Sequence, residues 1–165
     1  MAFSVRIEPA CSEDAAAIVD VHFTAVHQTA APFYPEEIIN SWSRPISDER
    51  VKRIQRAIEG SDELLLVAKS DARIVGFGSI APKNNELRGL YVHPAYGRRG
   101  VGEQLLSVLE QMAVEHGASA LQMDASVNAE AFYMRQGYQV VERGTHQLAS
   151  GQEMNCVKMQ KRLPH

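Results

Sequence analysis

The chain has only two cysteines in 165 residues, Cys11 and Cys156, too few and too far apart for a disulfide framework. No CxxC pair occurs, which also argues against a zinc site, so both read as separate thiols, buried or half-buried. No apolar run approaches the ~18 residues of a transmembrane helix. The opening MAFSVRIEPACSED has no basic start and no long apolar stretch, so no signal peptide is expected. The expectation is a cytoplasmic protein with no membrane partner. An excess of positive charge is missing too: 17 basic residues face 20 acidic ones, for a net charge of −3. A dedicated nucleic-acid binder would be strongly basic, so no nucleic acid is expected, and Arg98-Arg99 is the leading local basic patch. The six histidines show no metal pattern. His22 and His27 are five apart and do not share a helix face as an i, i+4 pair would, so no metal is expected.

What is present is an ordinary globular balance, 45% hydrophobic and 22% charged. With no repeat, linker or low-complexity tract, residues 1–165 read as one domain with a sizeable core. Val5 to Glu8 suggests a strand. Ser12 then suits a helix cap, with Glu13 and Asp14 in the first turn, and that helix is expected to reach Gln28. Pro35 can open a short helix in AAPFYPEEIINSW. A further helix follows Ser47 and ends near Gly60. After Gly60 the period changes. Glu63 to Ser70 and Arg73 to Ile80 read as a β-hairpin, and Leu87 to Val92 as a third strand. Leu105, Val108, Leu109 and Met112 recur at helical spacing until Gly117. Ala120 to Ala125 is strand-like, Asn128 to Gln136 a short helix, and Tyr138 to Arg143 and Asn155 to Lys161 closing strands. The order predicts a mixed α/β or α+β sheet with helices on its faces.

One segment carries chemistry. GRRGVG, residues 97–102, joins the strand 87–92 to the helix after it. A helix start presents unpaired N–H groups and partial positive charge, which attract phosphate. Gly100 and Gly102 let a ligand approach the backbone, and Arg98 and Arg99 add forked donors. A Walker A loop would need Lys-Ser/Thr after Gly102, where Glu103-Gln104 stands. A dinucleotide fingerprint would need a third glycine, where Leu105 stands. ATP and NAD are therefore disfavoured.

LRGLYVHPAYGRRGVGEQLL resembles the pyrophosphate-binding motif of the GNAT family, the Gcn5-related N-acetyltransferases. Leu90-Tyr91-Val92, Pro94, Gly100 and Gly102 match it. Gly97 departs from it, since the family usually has Arg or Gln there. SVNAEAFYMRQGYQVVER resembles a later motif of the same family through Asn128, Phe132, Tyr133, Gly137 and Tyr138. The resemblance spans nearly the whole chain. It implies an α+β GNAT fold: a mixed, mostly antiparallel sheet splayed between strands four and five, with helices on both faces and acetyl-CoA in the gap.

The resemblance also implies roles. The backbone of Leu90, Tyr91 and Val92 would pair with the pantetheine arm, while the side chains of Leu90 and Val92 also suit core packing. Amides from Arg98 through Arg99, Gly100, Val101 and Gly102 to Glu103 would hold the pyrophosphate. Asn128 suits either a hydrogen bond to pantetheine or a helix N-cap. Tyr133 would stand near the thioester sulfur as a proton donor, since a phenol is protonated at neutral pH. Glu86 is the candidate base, acting on the amine directly or through a water. His22, Tyr34 and Trp42 are candidate acceptor-binding residues, although His22 also suits a satisfied place on a helix rim and Tyr34 and Trp42 suit helix packing. The implied activity is transfer of acetyl from acetyl-CoA to a primary amine of a small acceptor, without metal. A non-catalytic acyl-CoA-binding module on the same fold is the alternative. A phosphate-binding module for nucleotides is a third reading. Relatives often dimerise, so a homodimer is allowed.

Overall fold

The structure is a computed structural model and describes residues 2–164. Arg6–Pro9 forms β1. The next turn is closed from Cys11 rather than from Ser12. Asp14 Oδ2 accepts from the Cys11 backbone N–H at 2.9 Å and from Cys11 Sγ at 3.3 Å. A carboxylate reaching back is the stronger acceptor, and Ser12 donates to Glu59 instead, at 3.1 Å. Cys11 is thus an exposed thiol, not a half-buried one, while Cys156 is buried. The first helix, α1 (Ala15–Thr24), stops short of Gln28. Ala25–Ala30 widen into a π-helical turn, and the chain leaves through the tight turn Ala31–Phe33. Pro32 has no N–H with which to extend the helical ladder. Next come α2 (Glu36–Trp42) and α3 (Asp48–Glu59); the Ser47 hydroxyl caps α3 by accepting from Arg50 N–H at 3.2 Å.

β2 (Leu64–Ser70) and β3 (Arg73–Ala81) form the expected hairpin, and β4 (Glu86–Val92) extends it. Then follow α4 (Val101–Glu115), β5 (Ala120–Ser126), α5 (Glu130–Arg135), β6 (Gln139–Gln147) and β7 (Glu153–Arg162). The last hairpin is longer than its apolar pattern implied. His146 and Gln147 continue β6 opposite Met154 and Glu153. These two polar residues are held by the ladder, so no alternation of apolar residues announces them.

The sheet order is β1-β2-β3-β4-β5-β7-β6, and every neighbouring pair is antiparallel except β4–β5. That parallel pair has a single registered partner, Glu86 with Gln122; beyond it the strands part. The splay expected from the family resemblance is therefore present. One face of the sheet packs under α4 and α5, where Leu105, Leu106 and Leu109 share a core with Leu87, Leu121 and Val157. The other face carries α1 over Val67 and Phe77, and α2 with the π-helical turn over Leu148 and Met154. Among the described residues no helix is long and apolar enough to cross a membrane.

Two of the candidate acceptor-binding residues are held within this second layer. The Tyr34 hydroxyl donates to Asn155 C=O at 2.7 Å and accepts from Val127 N–H at 2.8 Å. It thus bolts the segment before α2 to both sides of the β5–α5 and β7 backbone. His22 packs against Tyr91, Phe77 and Trp42, with its ring centre 4.5 Å from that of Tyr91. Its Nδ1 lies 3.2 Å from Arg50 Nη2 and 2.9 Å from Ser43 Oγ. A guanidinium can only donate, so Nδ1 is an acceptor and the ring is neutral. Burial first, then the Arg50 charge and His27, push the His22 pKa down to about 3.

Two outcomes follow. A Cβ at Gly78 would stand 2.7 Å from Leu109 Cδ1 and 3.1 Å from the Gly89 carbonyl oxygen. Gly78→Ala is expected to destabilise the fold by about 1–3 kcal/mol through overpacking, read as a lower urea midpoint. For His22, the folded pKa lies below the unfolded value of about 6.5, so the unfolded chain binds the proton first. Its contribution is complete above that value and is lost as pH falls towards 3. Between pH 7 and pH 5 the loss is about 2 kcal/mol at most. His22→Asn keeps an acceptor in place of Nδ1 and should flatten that part of the stability–pH curve. An equally steep fall in the variant would remove His22 as its source.

Candidate active site

Where β4 and β5 part, two cavities of about 450 and 470 Å³ open along the gap. They share Trp42, Leu90, Tyr91, Ser126 and Ala129, so they are two ends of one passage. Their size suits a small ligand or the arm of a larger one.

The first end lies beside the loop before α4. Gly100, at φ 81, turns the chain into the helix, and Arg98 adopts a left-handed φ of 62 just before it. Gln104 N–H is the first to bond back, to Gly100 C=O at 3.0 Å. The amides of Val101, Gly102 and Glu103 have no intrahelical partner and suit an anion. The two arginines part company here. Arg98 lines the cavity. The Arg99 guanidinium stacks away from it, 5.0 Å from the Phe3 ring centre and 5.7 Å from that of Tyr96. Leu90 and Val92 pack their side chains towards the α4 core, and Tyr91 packs on the opposite face. Past Glu86 the gap-facing backbone edge of β4 has no strand partner. Asn128 faces the same end. It lies inside the turn Val127–Ala129, not at its cap, and makes no capping bond. Its Oδ1 is buried without a hydrogen-bond partner, a cost of about 1–3 kcal/mol unless a ligand donor meets it. A free strand edge, an orphan acceptor and a ring of open amides fit an extended amide-bearing arm that ends in phosphates.

The other end is polar. Tyr133 enters from α5 and is 6% exposed. Burial, with Tyr91 adding to it, pushes its phenol above the usual tyrosine range. It is therefore protonated at physiological pH and available as a donor. Glu86 lines this end, its Oε1 2.9 Å from Arg88 Nε. Sequence reasoning missed a second group here. Asp124 of β5 receives His146 Nδ1 of β6 at 2.9 Å and Lys158 Nζ of β7 at 3.0 Å. All three side chains line the cavity. Burial pushes the Asp124 carboxyl up, but the bonds from His146 and Lys158 outweigh it and hold the group low. The available signal was the alternation of β5, with Leu121, Met123 and Ala125 buried and Gln122 and Asp124 exposed between them. Trp42 lines both ends. His22 and Tyr34 line neither. Among the described residues, no group of three or more His, Cys, Asp or Glu is placed to hold a metal.

Known proteins resemble this chain. Residues 29–163 match the acetyltransferase (GNAT) domain family. Spermidine N(1)-acetyltransferase of Thermoplasma acidophilum is 28% identical over 146 residues, 83% of this chain and 89% of that protein. The crystal structure of a GCN5-related N-acetyltransferase from Rhodopseudomonas palustris superposes with a TM-score of 0.85 at 33% identity, covering 99% of both chains. The PaiA N-acetyltransferase of Thermoplasma acidophilum, solved in complex with coenzyme A, shares the fold with a TM-score of 0.75 at 24% identity; it covers 96% of this chain and 99% of that one. The two ends of the passage, the fold and these matches agree: the chain belongs to the GNAT N-acetyltransferases.

Proposed function

We propose that residues 1–165 act as one domain that moves acetyl from acetyl-CoA to a primary amine of a small acceptor by direct attack. The observation that carries this reading is the single passage between β4 and β5, with the orphan Asn128 Oδ1 at one end and the Tyr133 phenol at the other. Acetyl-CoA supplies the activated acyl group. Its pyrophosphate would be held by the open amides of Val101 to Glu103 and by Arg98. Its pantetheine would lie along the backbone of Leu90, Tyr91 and Val92, within reach of Asn128. That route leads the thioester towards Tyr133.

The acceptor then enters from the polar end, past Trp42. Holding amine and thioester in one passage replaces a bimolecular encounter with an oriented one. As nitrogen bonds to the carbonyl carbon and the C–S bond breaks, Tyr133 gives its proton to sulfur. Thiolate is thereby avoided in an enclosed site, where an uncompensated charge is costly. The spermidine enzyme makes a polyamine one acceptor to try. The polar end carries Arg88 and Lys158 beside Glu86 and Asp124, so net charge alone does not single out a polycation.

The test pairs binding with turnover. Acetyl-CoA is expected to raise the melting temperature where ATP and NAD do not, and one member of an amine library should release free thiol. Tyr133→Phe should lower kcat by roughly 100-fold with acetyl-CoA affinity nearly kept. Turnover unchanged in that variant would remove Tyr133 from the donor role. Acetyl-CoA binding without thiol release from any amine would favour the non-catalytic alternative.

A further inference from the structure

We infer that His146, oriented by Asp124, takes the proton from the acceptor ammonium. This rests on the acetyltransferase reading above and names a residue that the reading leaves open. The geometry comes first. Asp124 holds its carboxylate ionised and can therefore only accept. His146 Nδ1, at 2.9 Å from Asp124 Oδ2, must carry the hydrogen of that bond. In the neutral ring this leaves Nε2 with a bare lone pair, so Asp124 fixes the tautomer as well as the ring direction. The other Asp124 oxygen is taken by Lys158, which keeps the carboxylate from turning away.

The placement follows from the sheet. Gln122 pairs with Glu86 where β4 and β5 still touch. Asp124 lies two residues further along β5, on the same face as Gln122, where the gap has opened. His146 reaches it from the outer strand across β7. Tyr133 enters the same cavity from α5 on the opposite side of the sheet. A proton acceptor and a proton donor thus flank the gap from its two faces.

Glu86, the base expected from the sequence, is the rival. Its Oε1 is occupied by Arg88 Nε at 2.9 Å. His146 is open enough to exchange its proton, with its side chain 48% exposed. The charged and titratable groups that line its cavity are Asp124 on β5, Lys158 and Cys156 on β7, and the Glu86–Arg88 pair on β4, and Glu142 on β6 lies close enough to act on Lys158 and Cys156.

The protons balance. An ammonium loses one proton to His146 Nε2 and becomes a nucleophile. Nitrogen bonds to the carbonyl carbon, and the C–S bond breaks. The second nitrogen proton replaces the one that Tyr133 gives to sulfur. The products are the acetamide, free thiol and one proton, which His146 releases to water.

The experiment compares pH profiles of kcat/KM for the full chain, with the amine found in the library screen. His146→Asn keeps a donor where Nδ1 stood, and so keeps the Asp124 bond, but has no Nε2. The variant is expected to retain the acetyl-CoA thermal shift and to lose roughly 100-fold in turnover at pH 7. The deficit should narrow as pH rises towards the pKa of the amine itself, and added imidazole should restore part of the rate. Asp124→Asn, a change in the positioning residue, should lower kcat more than it raises KM. Glu86→Gln should keep the acidic limb of the profile. The assignment is overturned if His146→Asn turns over within about threefold of the parent with its acidic limb intact, or if Glu86→Gln is the variant that loses that limb. A parent protein that binds acetyl-CoA but acetylates no amine would instead overturn the transfer reading, and this assignment with it.

Discussion

One backbone pairing governs the site. Glu86 and Gln122 are the only registered partners between β4 and β5, so the two halves of the sheet are joined at a point rather than along a ladder. Antiparallel pairing holds each half together independently. The carboxyl-terminal half is kept in place by three other means: the α4–α5 core beneath it, the short β4–β5 contact, and the Tyr34 hydroxyl bridging Val127 and Asn155 above. The unpaired backbone of β4 would be costly inside a protein. It is tolerable where another chain-like molecule can lie against it, and an acyl-bearing amide arm is such a molecule.

The same opening divides labour between the faces of the sheet. The inward residues of β5 and β7, such as Leu121, Met123, Val157 and Met159, are spent on the core. Their outward neighbours, Asp124 and Lys158, are left over a face that is covered only at one end, by Tyr34 and by Ile39 and Trp42 of α2. Period-two geometry therefore makes a polar cavity wall from strands that are simultaneously structural. Tyr133 reaches the cavity from the core side, with its ring packed edge-on against Phe132 and Tyr138.

Much of this was legible in the residues. Element order, the β2–β3 hairpin and the α4 start at Gly100 follow from period and punctuation. The candidate phosphate loop was visible as a local pattern, because LYVHP and GRRGVG lie in one continuous stretch. What escaped were features assembled from distant segments. Asp124, His146 and Lys158 come from three strands and share no local pattern. His146 also lies in the part of β6 that no apolar alternation marks. Tyr34 was hard to place for the opposite reason. A polar aromatic in an irregular segment looks like a ligand contact, and only the partners at 121 and 93 residues' separation for Tyr34 reveal a strut. Whether Arg98 and Arg99 act together was likewise beyond a reading of adjacent letters.

The stacking of Arg99 carries a consequence for the start of the chain. Phe3 and Tyr96 lie ring to ring with centroids 5.8 Å apart, and Arg99 covers both. The segment ahead of β1 is thereby clamped to the loop that precedes α4. Order in this loop is borrowed from residues nearly a hundred positions earlier. Changes at Phe3 would therefore act on that loop from a distance, through loss of rigidity rather than loss of a contact.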